Sequence, residues 1–239
     1  MATYVTGGKG IAAERGWSWI AAGWELFKKQ AGMWIALVLV AFVIFVVLAF
    51  IPVVGSLASF VLSPVFAAGV LAGCRAIQEG HELEIGHLFA GFREKFAPLA
   101  TVGVIYLGAA IAIALVVGLA TGASIFAMFA GGTPEVATPA ALMSVLLAVL
   151  VMFALLVPVI MAVWFAPALV LFHGKGAVEA MKESFSGCLR NIVPFLIYGL
   201  AMMVLGVLAT IPLGLGWLVL GPVLCTSFFA SYEDIYLTA

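Results

Sequence analysis

Four long apolar stretches without a charged side chain, residues 30–74, 96–134, 136–174 and 191–232, alternate with three short segments of mixed polarity. A helical crossing of the bilayer core takes about 20 predominantly apolar residues. The first and last stretches are long enough for two crossings joined by a turn, and the middle two hold one each. The pattern therefore predicts six spans, near residues 33–51, 57–77, 98–120, 140–163, 194–210 and 213–232, with tight turns at Pro52 and Pro212. The longest turn, residues 121–139, is a nearly uncharged loop whose portion 124–130 is apolar enough to dip back toward the interface.

Each pair of spans is preceded by a segment with helical rather than continuous hydrophobicity. Residues 15–31 place Trp17, Ile20, Ala21, Trp24 and Phe27 on one face, with Lys28 and Lys29 largely elsewhere. In residues 82–96 Ile85, Leu88, Phe89, Phe92 and Phe96 share a face opposed by Arg93, Glu94 and Lys95. In residues 177–191 Val178, Met181, Phe185 and Cys188 face away from Glu179, Lys182, Glu183 and Arg190. Such segments are expected to lie flat at the membrane surface, with aromatic rings at headgroup level and Lys or Arg reaching out of it. Trp17, Trp24, Phe27, Lys28, Lys29, Phe92, Arg93, Lys95, Lys182 and Arg190 are the candidate lipid contacts.

Taken together, these segments describe one unit used three times: an amphipathic lead-in, an outgoing span, a turn, and a returning span with a Pro-Val step. The junctions superpose at Phe27, Phe92 and Cys188, and the returning spans at Pro64, Pro158 and Pro222. Those prolines are candidate helix kinks, because each removes a backbone donor and frees a carbonyl about one turn earlier. The expected organisation is a tail over residues 1–14, one six-helix membrane domain over 15–232 with units of about 15–78, 79–173 and 174–232, and a tail over 233–239. The expected fold class is an all-α integral membrane protein of three hairpins. Three hairpins of one orientation are parallel repeats, unlike the inverted pairs found in many transporters.

Composition sharpens this picture. The chain is 66% hydrophobic and 9% charged, far from the 25% or so charged that is usual for soluble domains. All ten basic residues and every acidic residue but Glu135 fall in the lead-ins, the two flanking tails and the short connections beside them. Since Lys and Arg collect on the cytoplasmic face, both termini and all three lead-ins are expected there. Residues 1–10 contain no apolar core, so no cleavable signal peptide is expected. The charge is too dilute and too balanced for a nucleic-acid surface; anionic headgroups are the simpler partner.

Candidate chemistry is sparse. No ionisable side chain falls in the middle of a span, which argues against proton coupling or intramembrane acid–base catalysis. Cys74, Cys188 and Cys225 show no CxxC spacing and are expected as free thiols. His81 and His87 are separated around a helix, and His173 is distant, so neither metal nor cofactor is expected. No nucleophile, Gly-rich phosphate loop or paired-carboxylate motif is present. Gly69 with Gly73 and Gly118 with Gly122 form GxxxG pairs, suited to close helix packing.

The run Arg15-Gly16-Trp17-Ser18-Trp19-Ile20 with Gly23-Trp24-Glu25-Leu26-Phe27, and the later segment from Phe165 to Val170 leading to Ala180-Met181-Lys182-Glu183-Ser184 and Asn191, resemble a family of six-span proteobacterial inner-membrane proteins without assigned function. The resemblance implies fold and location, not activity, and carries over no catalytic residue. The function expected is a non-catalytic scaffold or accessory subunit in contact with lipids or other membrane proteins. The alternative is a permease or lipid-handling protein with an uncharged path between the hairpins.

Overall fold

The computed structural model describes residues 3–130 and 139–238; Glu135 and the centre of the long loop lie outside the described residues. The protein is an all-α integral membrane protein, with six helices long and apolar enough to cross a bilayer. The first lead-in is α1 (Arg15–Lys29), followed by the hairpin of α2 (Ala31–Ala49) and α3 (Val54–Gln78). Gly55 is what lets this turn close. A Cβ there would sit 1.7 Å from the Leu48 carbonyl oxygen.

The second lead-in is shorter than its hydrophobic pattern suggests. It is a 3-10 turn at Ile85–Phe89 followed by α4 (Ala90–Glu94), with a break at Lys95 before α5 (Phe96–Ala130). Glu84 and His87 close a capping box that starts the 3-10 turn, so His87 is a local cap. Helix α5 continues through residues 121–130, where the sequence reading placed a loop. After Pro98 in its first turn, no proline or charged residue occurs before Pro134, and its 35 residues extend about 52 Å.

The returning helix of the second hairpin, α6 (Pro139–Trp164), breaks at Phe165, and α7 (Ala166–His173) continues from it with Pro167 in its first turn. Gly174 ends α7 in the left-handed region at φ 64°. The third lead-in is α8 (Ala177–Arg190), and the third hairpin is α9 (Ile192–Thr210) with α10 (Trp217–Tyr236). Glu233 and Asp234, expected in a C-terminal tail, belong to the last turn of α10. The true tail is β2 (Leu237–Thr238), which pairs antiparallel with β1 (Thr3–Tyr4) in the register Thr3↔Thr238 and Tyr4↔Leu237.

Pro64, Pro158 and Pro222 lie inside α3, α6 and α10. They also stand near a boundary in packing. Apart from the hairpin Gly55, buried positions begin in α3 at Pro64 and in α10 at Leu220; in the second returning helix, among the residues whose burial is described, they begin at Phe165. The core gathers there, around Trp19, Trp34, Leu71, Leu88, Leu169, Phe229 and Tyr232. The far ends of the spans are exposed apolar surface, with Phe50, Val53, Ile211 and Leu213 at the turns. The molecule thus has a packed charged end and an apolar, outward-facing far end.

The lead-ins are what build the packed end. Each lies against the returning helix of the hairpin before it: the second on α3, the third on α6, and the first, α1, on α10. The three contacts close a ring, and they fall at matching positions. Gly23, Leu88 and Ser184 each precede the superposed junction residue by one helical turn. A Cβ on Gly23 would come within 2.6 Å of the Ser227 nitrogen, and one on Gly69 within 2.1 Å of the Leu88 carbonyl oxygen. Ser184 Oγ donates to the Met161 carbonyl at 2.6 Å and accepts from the Phe165 amide at 2.8 Å.

Candidate functional site

Helix α1 turns its glycine face into the protein and leaves Trp17 and Trp24, two of the expected lipid contacts, outside. Gly16, Trp19, Ile20, Gly23 and Phe27 are buried, while Trp17 is 58% and Trp24 42% exposed. Glycine decides this. A Cβ on Gly16 would stand 2.2 Å from the Pro194 carbonyl oxygen, so only the glycine face can approach α9 and α10 this closely. Phe27, a candidate lipid contact, is only 3% exposed and belongs to the core. Trp17, Ile20, Ala21 and Trp24 instead line an apolar groove of about 520 Å³ with Leu205, Leu208 and Val219.

The remaining candidates divide in the same way. Phe92 is half-buried, 5.1 Å from Phe66 of α3 between ring centroids. Lys28 is exposed but paired with Glu25 at 2.9 Å. Lys29, Arg93 and Lys182 are exposed and Lys95 half-buried. Arg190 is exposed along its length and gives one N–H to the Gly8 carbonyl at 2.9 Å.

Two interlocked polar clusters, unforeseen from the sequence, fasten the termini to the packed end. In the first, Tyr4 stacks on His173 at 3.8 Å between centroids, and its hydroxyl donates to the Glu183 carboxylate. Lys175 Nζ lies 3.0 Å from Glu183 and 2.6 Å from Glu179, and the Gly7 amide donates to Glu183 at 3.3 Å. His173 Nε2 and the Tyr232 hydroxyl are 2.7 Å apart. The Tyr236 hydroxyl donates to the Glu183 backbone carbonyl. Burial pushes the Glu183 carboxyl up, but the bonds from Tyr4, Lys175 and Gly7 outweigh it and hold it below the usual carboxylate range. Burial and the carboxylate next to it push the Tyr4 phenol well above its usual value.

In the second cluster Arg15 Nε and Nη2 each donate to Asp234 at 2.8 Å, and Trp19 Nε1 donates to the same carboxylate at 3.0 Å. Asn191 completes the fastening of the N-terminal segment. It accepts from the Ile11 amide at 2.9 Å and donates to the carbonyls of Lys9 and Gly187. The i, i+4 spacing of Lys175, Glu179 and Glu183 is the one signal the sequence holds for this cluster; Tyr4 comes from a segment with no periodicity. The three cysteines are free thiols. Burial pushes the Cys188 thiol up to about 12, which makes it a packing group and not a nucleophile.

Next to the prolines the packed end opens into cavities. One of about 460 Å³ takes Ser63, Pro64 and Ala67 from α3, Ile160 and Trp164 from α6, and Phe228 from α10, so all three returning helices contribute. A second, of about 500 Å³, runs between α6 and α9 from Ile192 to Met202 and is lined by Val157, Trp164, Leu196 and Gly199. Trp164 is a wall of both. Its ring is held edge-on by Phe195 at 5.9 Å and Phe228 at 5.6 Å.

The sequence is 30% identical over 197 residues to a protein of Burkholderia thailandensis named as a probable inner membrane protein, with 80% of this chain and 73% of the relative aligned. No family profile and no solved structure matches the chain.

Proposed function

The chain belongs to the same family as that inner-membrane protein, and from this premise we propose that it is a non-catalytic scaffold or accessory subunit that works through its membrane-facing surface. It is a multi-pass protein of the bacterial inner membrane. In this reading the packed end and both termini face the cytoplasm, as the position of every Lys and Arg favours. Trp17, Trp24, Lys29, Arg93 and Lys182 contact lipid at that surface, and the N-terminal Arg15–Phe27 run supplies the glycine face that closes the ring. The kinks at Pro64, Pro158 and Pro222 open the helices below it.

One observation carries the proposal. Of the buried polar side chains among the described residues, Ser184, Thr226 and Ser227 bond from one helix to another, Asn191 ties down the N-terminal segment, and Ser231 bonds the Phe228 carbonyl of its own helix. Large apolar residues along the spans, by contrast, point outward. The polar chemistry is spent on the fold, and the surface left for interaction is apolar. Purification of the full chain from its native membrane in a mild detergent tests this. A stoichiometric membrane-protein companion or a retained lipid is expected; a chain that elutes with neither overturns it.

A second reading, a permease or lipid-handling protein, is favoured by the cavity shared among the three returning helices. Solute flux or lipid transfer in reconstituted liposomes is its measurement, and rates at background remove it.

A further inference from the structure

We infer that residues 3–9 form a strap across the charged end whose attachment follows the protonation state of His173, closed on the neutral imidazole and loosened in mild acid. The inference stands apart from the scaffold reading, which concerns the membrane-facing surface. His173 ends α7, beyond the break at Phe165, and is half-buried at the charged end. Side chains from the two ends of the chain hold it. Tyr4 lies on the face of its ring at 3.8 Å between centroids, and the Tyr232 hydroxyl stands 2.7 Å from Nε2. The rest of the strap is held by single bonds. Val5 and Lys9 donate backbone N–H groups to Tyr236 and Ile235, the Gly8 carbonyl accepts from Arg190, and Lys9 Nζ donates to the Leu237 carbonyl. The β1–β2 ladder pairs only Thr3 and Tyr4 with Thr238 and Leu237, and so short a ribbon is not stable on its own.

The bond to Tyr232 decides which form of the ring the fold favours. Tyr232 is fully buried, and His173 is the one hydrogen-bond partner of its hydroxyl among the described residues. A neutral imidazole with a bare Nε2 accepts from this hydroxyl, and both groups are satisfied. An imidazolium carries a hydrogen on Nε2 as well. The hydroxyl then has to accept, and its own proton is left in the interior with no second acceptor among the described residues, which is costly. The surrounding charges act mostly in the same sense. Burial, Arg75 of α3 and Lys175 disfavour the charged ring, and Glu183 of α8 favours it. Arg75 is fixed over the Phe172 ring at 3.7 Å, and Glu183 is already engaged by Tyr4, Gly7 and Lys175. The neutral form's contribution is therefore complete above the ordinary histidine value of about 6.5 and is lost as pH falls below it. The loss reaches the strap through Tyr4. Turning Nε2 away from Tyr232 toward water relieves the stranded proton, and the same turn parts the ring from the tyrosine stacked on it.

Amide hydrogen exchange on the full chain in detergent, taken relative to the intrinsic rate at each pH, reads the strap directly. Wild-type protection over residues 3–9 is expected to fall about fivefold between about pH 7.5 and about pH 5.5, a range that lies above the titration of Glu183. Protection over residues 65–76 of α3, in the core, should stay level across the same range. His173→Phe keeps a ring for Tyr4 to stack on and cannot titrate, so its strap should show no step. Tyr232→Phe keeps the histidine and removes the hydroxyl that protonation strands, so its step should shrink to about twofold or less. Should His173→Phe not fold, Tyr232→Phe alone decides. A wild type without the step overturns the inference, as does a step of equal size in either variant, which would assign it to His81, His87 or the bulk charge. A parallel fall over residues 65–76 also overturns it, because the whole fold and not a strap would then be responding.

Discussion

The ring of Tyr4 lies on the imidazole of His173, with planes 28° from parallel, while its hydroxyl reaches Glu183 on the following helix. A residue from the beginning of the chain thus joins the end of α7 to α8, and β1 pairs with the strand that ends the chain. The N-terminal segment is part of the packed end.

This fastening is pH-dependent. The folded state lowers the Glu183 carboxyl below its ordinary value of about 4.5, so the fold favours the ionised form. The contribution is complete above that ordinary value and is lost as pH falls through the lowered one. Amide protection over residues 3–9, taken relative to the intrinsic exchange rate at each pH, should therefore fall only in acid. Glu183→Gln should raise exchange at neutral pH, weakening the segment by about 1–3 kcal/mol, and should flatten the acid dependence. Identical profiles for the two proteins would contradict the assignment.

The approach of α1 to α10 depends on Gly23. Its missing Cβ would meet backbone and side-chain atoms of Ser227 between 2.6 and 2.8 Å away, and the backbone there cannot rotate aside. Gly23→Leu is expected to destabilise the protein by about 1–3 kcal/mol. Gly108 in α5, where a Cβ meets nothing, is the contrast. Gly108→Ala should be neutral or stabilising by up to about 1 kcal/mol. Thermal midpoints in the same detergent compare the two.

Asp234 is tied to two residues of α1 and Arg15 to one carboxylate, so their removal should not be equivalent. Arg15 is about half exposed on its side chain (48%), and Asp234 much less (14%). Arg15→Gln is expected to cost about 0.5–1 kcal/mol. Asp234→Asn should cost roughly twice that, because it weakens the bond from Trp19 as well. A double-mutant cycle gives the coupling between Arg15 and Asp234; a value near zero would reduce the pair to a surface contact.

Topology can be read by cysteine labelling. His81 is exposed beside the packed end, and Leu213 is 97% exposed at the opposite turn. With Cys74, Cys188 and Cys225 replaced by serine, His81→Cys should react only from the cytoplasmic side and Leu213→Cys only from the periplasmic side. The reverse accessibility would invert the orientation.

The six spans were legible because hydrocarbon demands long uninterrupted apolar runs, and interruption by charge is easy to see. The unit of lead-in and hairpin could be seen for the same reason. What could not be seen was which face of a lead-in turns inward. Periodicity ranks faces by hydrophobicity, and on α1 it marks the stripe of Trp17, Trp24 and Phe27 for lipid without saying what turns inward; close packing ranks faces by size, and there Gly16 and Gly23 prevail and take Phe27 into the core. The length of α5 was misjudged because glycine and alanine were read as a loop where nothing forces the helix to stop. The Tyr4–Glu183 and Arg15–Asp234 contacts join distant parts of the chain, and no local pattern announces them.

The placement of α1 against α10 also sets a condition on biosynthesis. Helix α1 is synthesised well before its packing partner α10, so its glycine face stays uncovered until the third hairpin has been inserted. A truncated product, lacking only α10, would leave an unsatisfied Arg15, a bare Gly23 face and a loose N-terminus, all at the surface where membrane quality-control proteases search for substrates.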